Sequence, residues 1–180
     1  ITALIARLCD APIAVVNLID AERQWFKSEV GLGVRETPLE TSFCRHALLE
    51  QDRMVVPDAD KDPRFVCNPL VTASNGLKFY AGVLLRDDNG LPLGTLCVLD
   101  TRPRPDGLTP LQAEAMEVLA RQVMKLLNLR KALAADAGAS DEEIARSIGV
   151  GGSTVYRTKR RFVEMGLGDD PAAEVTLTQT

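Results

Sequence analysis

The hydrophobic pattern along the chain changes period several times, and each change marks an element. Thr2–Leu8 has the spacing of a short amphipathic helix end. After Pro12, the run Ile13-Ala14-Val15-Val16-Asn17-Leu18-Ile19 is almost continuously apolar and rich in branched residues, which predicts a buried strand. Asp20-Ala21-Glu22-Arg23 reads as a turn and Gln24–Val30 as the returning strand of an antiparallel hairpin, ended by Gly31-Leu32-Gly33. Trp25 and Phe26 are adjacent on that strand, so they face opposite sides and one of them belongs to the core. Thr37-Pro38-Leu39-Glu40 has the order of a helix start, with a helical segment through Ser42, Phe43, Cys44, Ala47 and Leu48.

Met54-Val55-Val56 predicts a short strand stopped at Pro57. Residues 58–76, with Asp58, Asp60, Asp62-Pro63, Asn68-Pro69 and Gly76, form a connection long enough to be a lid or binding loop. Lys78–Arg86 and Leu93–Asp100 are two strands around Asp87-Asp88-Asn89-Gly90, a turn in which Asn-Gly predicts two positive φ angles. Thr109-Pro110-Leu111-Gln112 again has helix-start chemistry and opens a long helix, predicted to run to about Asp136. Its stripe Met116, Leu119, Val123, Leu126 and Leu133, broken by Arg130, either covers the sheet or forms the seam of a parallel homodimer through the 110–130 helix. Hairpins at both ends of a segment without strict strand–helix alternation predict an α+β domain on one antiparallel sheet.

Composition narrows the class. The chain has 180 residues, 46% hydrophobic and 26% charged, which suits a soluble globular domain plus an appendage. No apolar run is long enough to span a bilayer and no signal-peptide pattern opens the chain, so no membrane partner is expected. The start at Ile1, without Met, reads as a piece of a longer protein. Cys9, Cys44, Cys67 and Cys97 lack any zinc-type spacing and read as thiols of a reducing cytoplasm. With His46 as the one histidine, no metal site and no cofactor is called for.

Charge is uneven. The net charge is −4, but residues 131–168 carry 6 basic and 5 acidic groups, whereas 1–130 carry 15 and 17 and 169–180 carry none and 3. The basic residues concentrate at Arg157, Lys159, Arg160 and Arg161. Ser140-Asp141-Glu142-Glu143 has the order of a capping box, and Ile144, Ala145, Ile148, Gly149 and Val155 follow helix-turn-helix spacing. Ser153 would cap a second helix carrying Thr154, Tyr156, Arg157, Lys159, Arg160 and Arg161, with short polar side chains for base edges and cations for phosphates. The plain alternative for the basic cluster is a solvated helix face, and the acidic remainder makes any DNA binding weak.

Residues 1–130 resemble a GAF domain, the small-molecule-sensing module of bacterial signalling proteins such as sensor histidine kinases and diguanylate cyclases. The resemblance is carried by "APIAVVNLIDAERQWFKSEVGL", "ETSFCRHAL", "VVPDADKDPRFVCNPLV" and "LKFYAGVLLRDDNGLPLGTLCVLDTRPR". It implies a sheet of about six antiparallel strands flanked by helices, a ligand pocket under the loops, and no catalysis. Candidate ligand contacts are Phe43, Cys44, His46, Phe65, Asn68, Phe79, Tyr80 and Cys97. Residues 126–168 resemble the N-terminal helix-turn-helix of mariner-superfamily insertion-sequence transposases. A transposase needs a catalytic domain after this motif, whereas a dozen residues follow it in this sequence, and 169–180 reads as a disordered tail. The organisation expected is thus a 1–130 sensor, a 131–168 helix-turn-helix and a tail. It is either a fused transposase fragment or a ligand-gated DNA-binding regulator.

Two enzymatic readings are weaker. Cys44 and His46, two positions apart on a helix, do not face each other, so a Cys–His nucleophile is disfavoured. A GAF-type free methionine sulfoxide reductase would use loop cysteines, and the spacing of Cys44, Cys67 and Cys97 does not resemble that arrangement. The alternating Asp58, Asp60 and Asp62 read as turn-capping carboxylates, since Pro63 interrupts any calcium loop.

Overall fold

A computed structural model describes residues 1–20, 23–139 and 143. The helix-turn-helix assignments, from Ser140 to the recognition residues Ser153, Thr154, Tyr156, Arg157, Lys159, Arg160 and Arg161, and the tail 169–180 lie outside the described residues, Glu143 apart. The elements in chain order are α1 (Thr2–Leu8), β1 (Ile13–Ile19), β2 (Arg23–Val30), β3 (Glu36–Pro38), α2 (Phe43–Ala47), β4 (Arg53–Val56), α3 (Pro69–Thr72), β5 (Phe79–Arg86), β6 (Pro92–Asp100) and α4 (Pro110–Asp136). The strands form one sheet in the order β3-β2-β1-β6-β5-β4, and every pairing is antiparallel.

The three long central strands, β1, β6 and β5, are buried on both faces, which is why their sequences are nearly continuous apolar runs. Side chains alternate between two cores. Ala14, Val16, Leu18, Phe79, Ala81, Val83, Leu85, Leu96 and Val98 pack with Ile5 of α1 and with Met116, Ala120, Val123 and Met124 of α4. Val15, Ile19, Tyr80, Leu84, Cys97 and Leu99 point the other way, under α2 and the 58–76 connection. Phe26 joins this second core, while Trp25 packs against the first.

Two expectations are corrected. Glu36–Pro38 is not a helix start but the edge strand β3, pairing Thr37 with Gln24. The Thr37 hydroxyl that would have capped a helix accepts a 2.7 Å hydrogen bond from Gln24 Nε2, and Pro38 is tolerated because the strand is at an edge. The helix begins at Phe43, where Ser42 Oγ accepts from the Arg45 amide. At the β5–β6 turn Gly90 alone takes a positive φ (81°), because Asp87 Oδ1 accepts the Asn89 and Leu91 amides and fixes the turn without a left-handed Asn89. Within 58–76 the one helix is the four-residue α3; residues 63–67 are turns.

α4 opens on the expected reciprocal cap, with Thr109 Oγ1 accepting from the Gln112 amide and Gln112 Oε1 from the Thr109 amide. Its stripe divides. Met116 and Val123 are buried against the sheet and Leu119 packs beside them, so these three cover the core. Leu111, Val118, Leu126, Leu129 and Leu133 are exposed.

Asp100, at the end of β6, is 1% exposed and accepts from the Arg102 amide (3.0 Å) and from Arg104 Nη2 (2.7 Å). Arg104 also donates to the carbonyls of Cys9 and Asp10, where α1 ends, and lies over the Phe79 ring at 4.9 Å. One ion pair thus joins α1 to β6 and β5.

Candidate functional site

The face of the sheet away from α1 and α4 carries the site. Its floor is the middle of β1, β6 and β5, where Asn17, Thr95, Cys97, Gly82 and Tyr80 share one side. Its roof is α2, α3 and the connection between β4 and β5. Phe43 is seated over the floor by the first turn of α2. Its ring stacks on Phe65 (4.1 Å between centroids) and on Tyr80 (5.5 Å). Such ring pairs add about 0.5–1.5 kcal/mol each beyond area burial. His46, on the next turn, meets the edge of Phe65 at 5.0 Å. Burial and the nearby Arg45 and Arg64 guanidinium groups lower its pKa, which keeps the imidazole neutral.

Asn68 fastens the roof in two directions. Its Oδ1 accepts from the Leu70 amide and caps α3, while Nδ2 donates to the Thr41 carbonyl at the entry to α2. Lys78 Nζ does the same at the far end, donating to the Val71 carbonyl and to Asp60. Asp58 pairs with Lys61 and Asp62 with Arg64, so the three alternating carboxylates each have a basic partner. Among the described residues no group of three His, Cys, Asp or Glu could hold a metal ion.

Beneath the rings lies a polar track. Cys44 Sγ is 3.8 Å from Cys97 Sγ, and Tyr80 Oη donates to Cys44 Sγ at 3.4 Å. Asn17 Oδ1 accepts the Thr95 amide, and Asn17 Nδ2 lies 3.5 Å from Gln24 Oε1. That oxygen also accepts from Ser42 Oγ at 2.7 Å. Thr95 Oγ1 is buried without a hydrogen-bond partner. Burial pushes the Cys44 thiol up, but the polar groups around it, Cys97 first and then Thr95, Tyr80 and Asn17, outweigh it and bring its pKa to about 7. Cys97 moves the other way: its hydrogen bond with Cys44 and its burial both hold it protonated. Burial, then the neighbouring thiols, raise the Tyr80 phenol well above its usual range.

Six of the eight predicted contacts, Phe43, Cys44, His46, Phe65, Tyr80 and Cys97, are therefore in one cluster, and Asn68 fastens its roof. Phe79 is not there. Adjacent strand residues face opposite ways, so while Tyr80 enters the site Phe79 lies in the helix-side core under Arg104. Asn17, Gln24, Thr95 and Gly82 were missed. The signal for the first and third is a polar residue inside an otherwise apolar strand. Gly82 stands opposite Cys97, and a Cβ there would come within 2.1 Å of Tyr80 Oη, so the missing side chain makes room for the Tyr80 ring to lie along its own strand. Phe43, Cys44, Phe65, Tyr80 and Cys97 are buried, and a cleft of about 520 Å³ opens elsewhere, between the end of β5 and α4, beside Asp52, Arg86, Arg121 and Met124.

Comparisons with known proteins agree with this fold. The GAF domain family matches residues 1–127, and a homeodomain-like domain matches 120–169, so the two overlap within α4. A cyclic di-GMP phosphodiesterase of Pseudomonas aeruginosa is 43% identical over 113 residues, 63% of this chain but 19% of that protein. The chain therefore spans about a fifth of that curated relative. The GAF region of a putative membrane protein from Geobacter sulfurreducens superposes with a TM-score of 0.57 at 18% identity, over 71% of this chain and 88% of that one. The free methionine-R-sulfoxide reductase of Neisseria meningitidis gives 0.54 at 19% identity, over 69% and 71%. At those identities the structures establish the fold alone. With the six-stranded sheet, its two cores and the match over residues 1–127, the chain belongs to the GAF domain family.

Proposed function

We propose that residues 1–130 are a non-catalytic small-molecule-sensing module of a bacterial signalling protein, with the ligand taken between the sheet and the roof of α2, α3 and the 58–76 connection. The observation that supports this most is the buried polar track under a roof made of short elements, on the sheet face that α1 and α4 leave free. Long helices lock the other face. Asn17, Thr95 and Tyr80 offer hydrogen-bonding groups to a small ligand with an apolar body, and Phe43 and Phe65 offer stacking surfaces. The His46 imidazole faces Phe65 rather than Cys44, which argues against a Cys–His nucleophile. The reductase reading has only the shared fold in its favour. The phosphodiesterase named among the relatives matches over 19% of its length, so its chemistry is not carried over to this chain.

Native mass spectrometry of the chain purified from a bacterial cytoplasm tests the reading. The expected result is a small-molecule adduct whose re-addition raises the unfolding free energy by about 2.7 kcal/mol at a hundredfold excess over Kd. Phe43→Ala should lose the adduct. An adduct retained by Phe43→Ala and lost on substitutions around the 520 Å³ cleft would move the site there.

A second reading, a ligand-gated DNA-binding regulator, is supported by the homeodomain-like match over 120–169. In it, Leu126, Leu129 and Leu133, exposed on α4, pair two copies, and each copy presents Ser153, Thr154, Tyr156, Arg157, Lys159, Arg160 and Arg161 to DNA. Four cations per protomer give a log–log salt slope of about −3 to −4 for one copy and about twice that for a dimer. Leu129→Lys should halve the slope and give a monomer by sedimentation equilibrium. Arg157→Ala should lower the slope by about one per copy. DNA binding indifferent to salt would overturn this reading.

A further inference from the structure

We propose that Cys44 and Cys97 are a redox couple that closes to a disulfide when a hydroperoxide oxidises it, with α2 carrying the movement. This goes beyond ligand sensing and does not rest on it.

The two sulfurs are 3.8 Å apart, already at van der Waals distance, and come from elements distant in sequence. Neither thiol sits in a purely apolar setting. Tyr80 Oη donates to Cys44 Sγ, and Gly82 leaves the space that lets it do so. The Thr95 hydroxyl is buried without a hydrogen-bond partner of its own, two residues from Cys97 on the same strand. The pair is also asymmetric in its proton affinities. Cys44 is the more acidic of the two, its pKa lowered by its polar neighbours, and Cys97 is held protonated. One thiolate nucleophile beside one thiol is what disulfide formation by way of a sulfenic acid requires.

The step balances as follows. The Cys44 thiolate attacks the outer oxygen of the hydroperoxide and the O–O bond breaks. Cys44 becomes a sulfenic acid and the alkoxide leaves with a proton as alcohol, or as water from hydrogen peroxide. Cys97 sulfur then attacks Cys44 Sγ and displaces hydroxide, which takes the Cys97 proton as water. Two thiols and one hydroperoxide give one disulfide, one alcohol and one water.

Closure shortens the sulfur–sulfur distance to about 2.05 Å. Cys97 cannot supply that movement, because β6 is hydrogen-bonded on both sides, to β1 and to β5. α2 has five residues and is tied by the Ser42–Gln24 hydrogen bond and the Phe43–Phe65 stack. Oxidation therefore pulls α2 toward the sheet and shears the ring stack that forms the roof.

Exposed Cys67 serves as the internal clock for the test. The full chain is treated with hydrogen peroxide at pH 7, quenched in acid, alkylated under denaturing conditions and mapped without reduction. The expected product loses about 2 Da, carries a Cys44–Cys97 disulfide, leaves Cys9 alkylated, and is restored by dithiothreitol. Cys44 and Cys97 both recovered as alkylated thiols after Cys67 has been oxidised would overturn the proposal, as would a disulfide that uses Cys67. Tyr80→Phe keeps both thiols. It should slow disulfide formation at pH 7 several-fold and move the pH midpoint of the rate upward, leaving the Cys67 rate unchanged. An unchanged rate and midpoint would overturn the activation of Cys44 by Tyr80.

Discussion

Asp100→Ala is expected to destabilise the domain by about 3–5 kcal/mol, the range for removing one partner of a buried ion pair. That is a large share of the about 5–15 kcal/mol that holds a domain together. The size follows from where the pair sits. Arg104 would keep its contacts with the Cys9 and Asp10 carbonyls and the Phe79 ring but lose its counter-charge, and the Arg102 amide would lose its acceptor. Urea titration checks it, as a fall in midpoint with the slope preserved. The pH dependence has a definite sign. Burial alone would raise the Asp100 pKa, but Arg104 and the Arg102 amide outweigh it and hold the carboxyl below its usual range. The stabilisation is therefore complete above the unfolded value of about 3.9 and is lost as pH falls through the lower folded value. Wild type and Asp100→Ala should converge in stability in strong acid and diverge as pH rises. A constant gap at all pH values would show that packing, not charge, is lost.

Phe65→Ala should cost about 3–5 kcal/mol, typical of a buried phenylalanine cut to alanine. Phe65 is completely buried although it comes from a connection whose neighbours Arg64 and Val66 are exposed. Its stack on Phe43 and its edge contact with His46 hold the roof on the sheet. The expected pattern is selective: amide hydrogen exchange accelerates in α2 and in 58–76, while α4 and the β1–β6 ladder keep their protection. Uniform acceleration would mean the roof and sheet unfold together. Phe65→Leu should recover part of the loss, because it restores volume but not the ring stack.

The central strands were legible because burial on both faces leaves an apolar run that little else explains, and the α4 start because its cap is encoded in four consecutive residues. β3 was not legible. Thr37-Pro38 fits a helix start locally, and what decides against it is Gln24, thirteen residues away, which takes the hydroxyl. Most of the cluster could be named from its residue types, but Phe79 and Tyr80 could be separated only by knowing which face of β5 looks toward α4. Gly82 carried no signal, since its role is the absence of a side chain beneath the Tyr80 ring.

α4 is one uninterrupted helix, held to the domain as far as Leu127, which packs against the core, and Asn128, which donates to Asp88; the turns beyond carry the exposed Leu129 and Leu133. Mechanically this is a lever with its fulcrum at the sheet and an arm of about 12 Å, at 1.5 Å per residue. A tilt of about 10° at the clamp moves the far end by about 2 Å, more than a third of the helix pitch. The same rigidity makes the arm a phase-keeper. Each residue added beyond Asn128 rotates whatever follows by about 100° around the axis, so the length of the arm, more than its composition, fixes which way the following residues face.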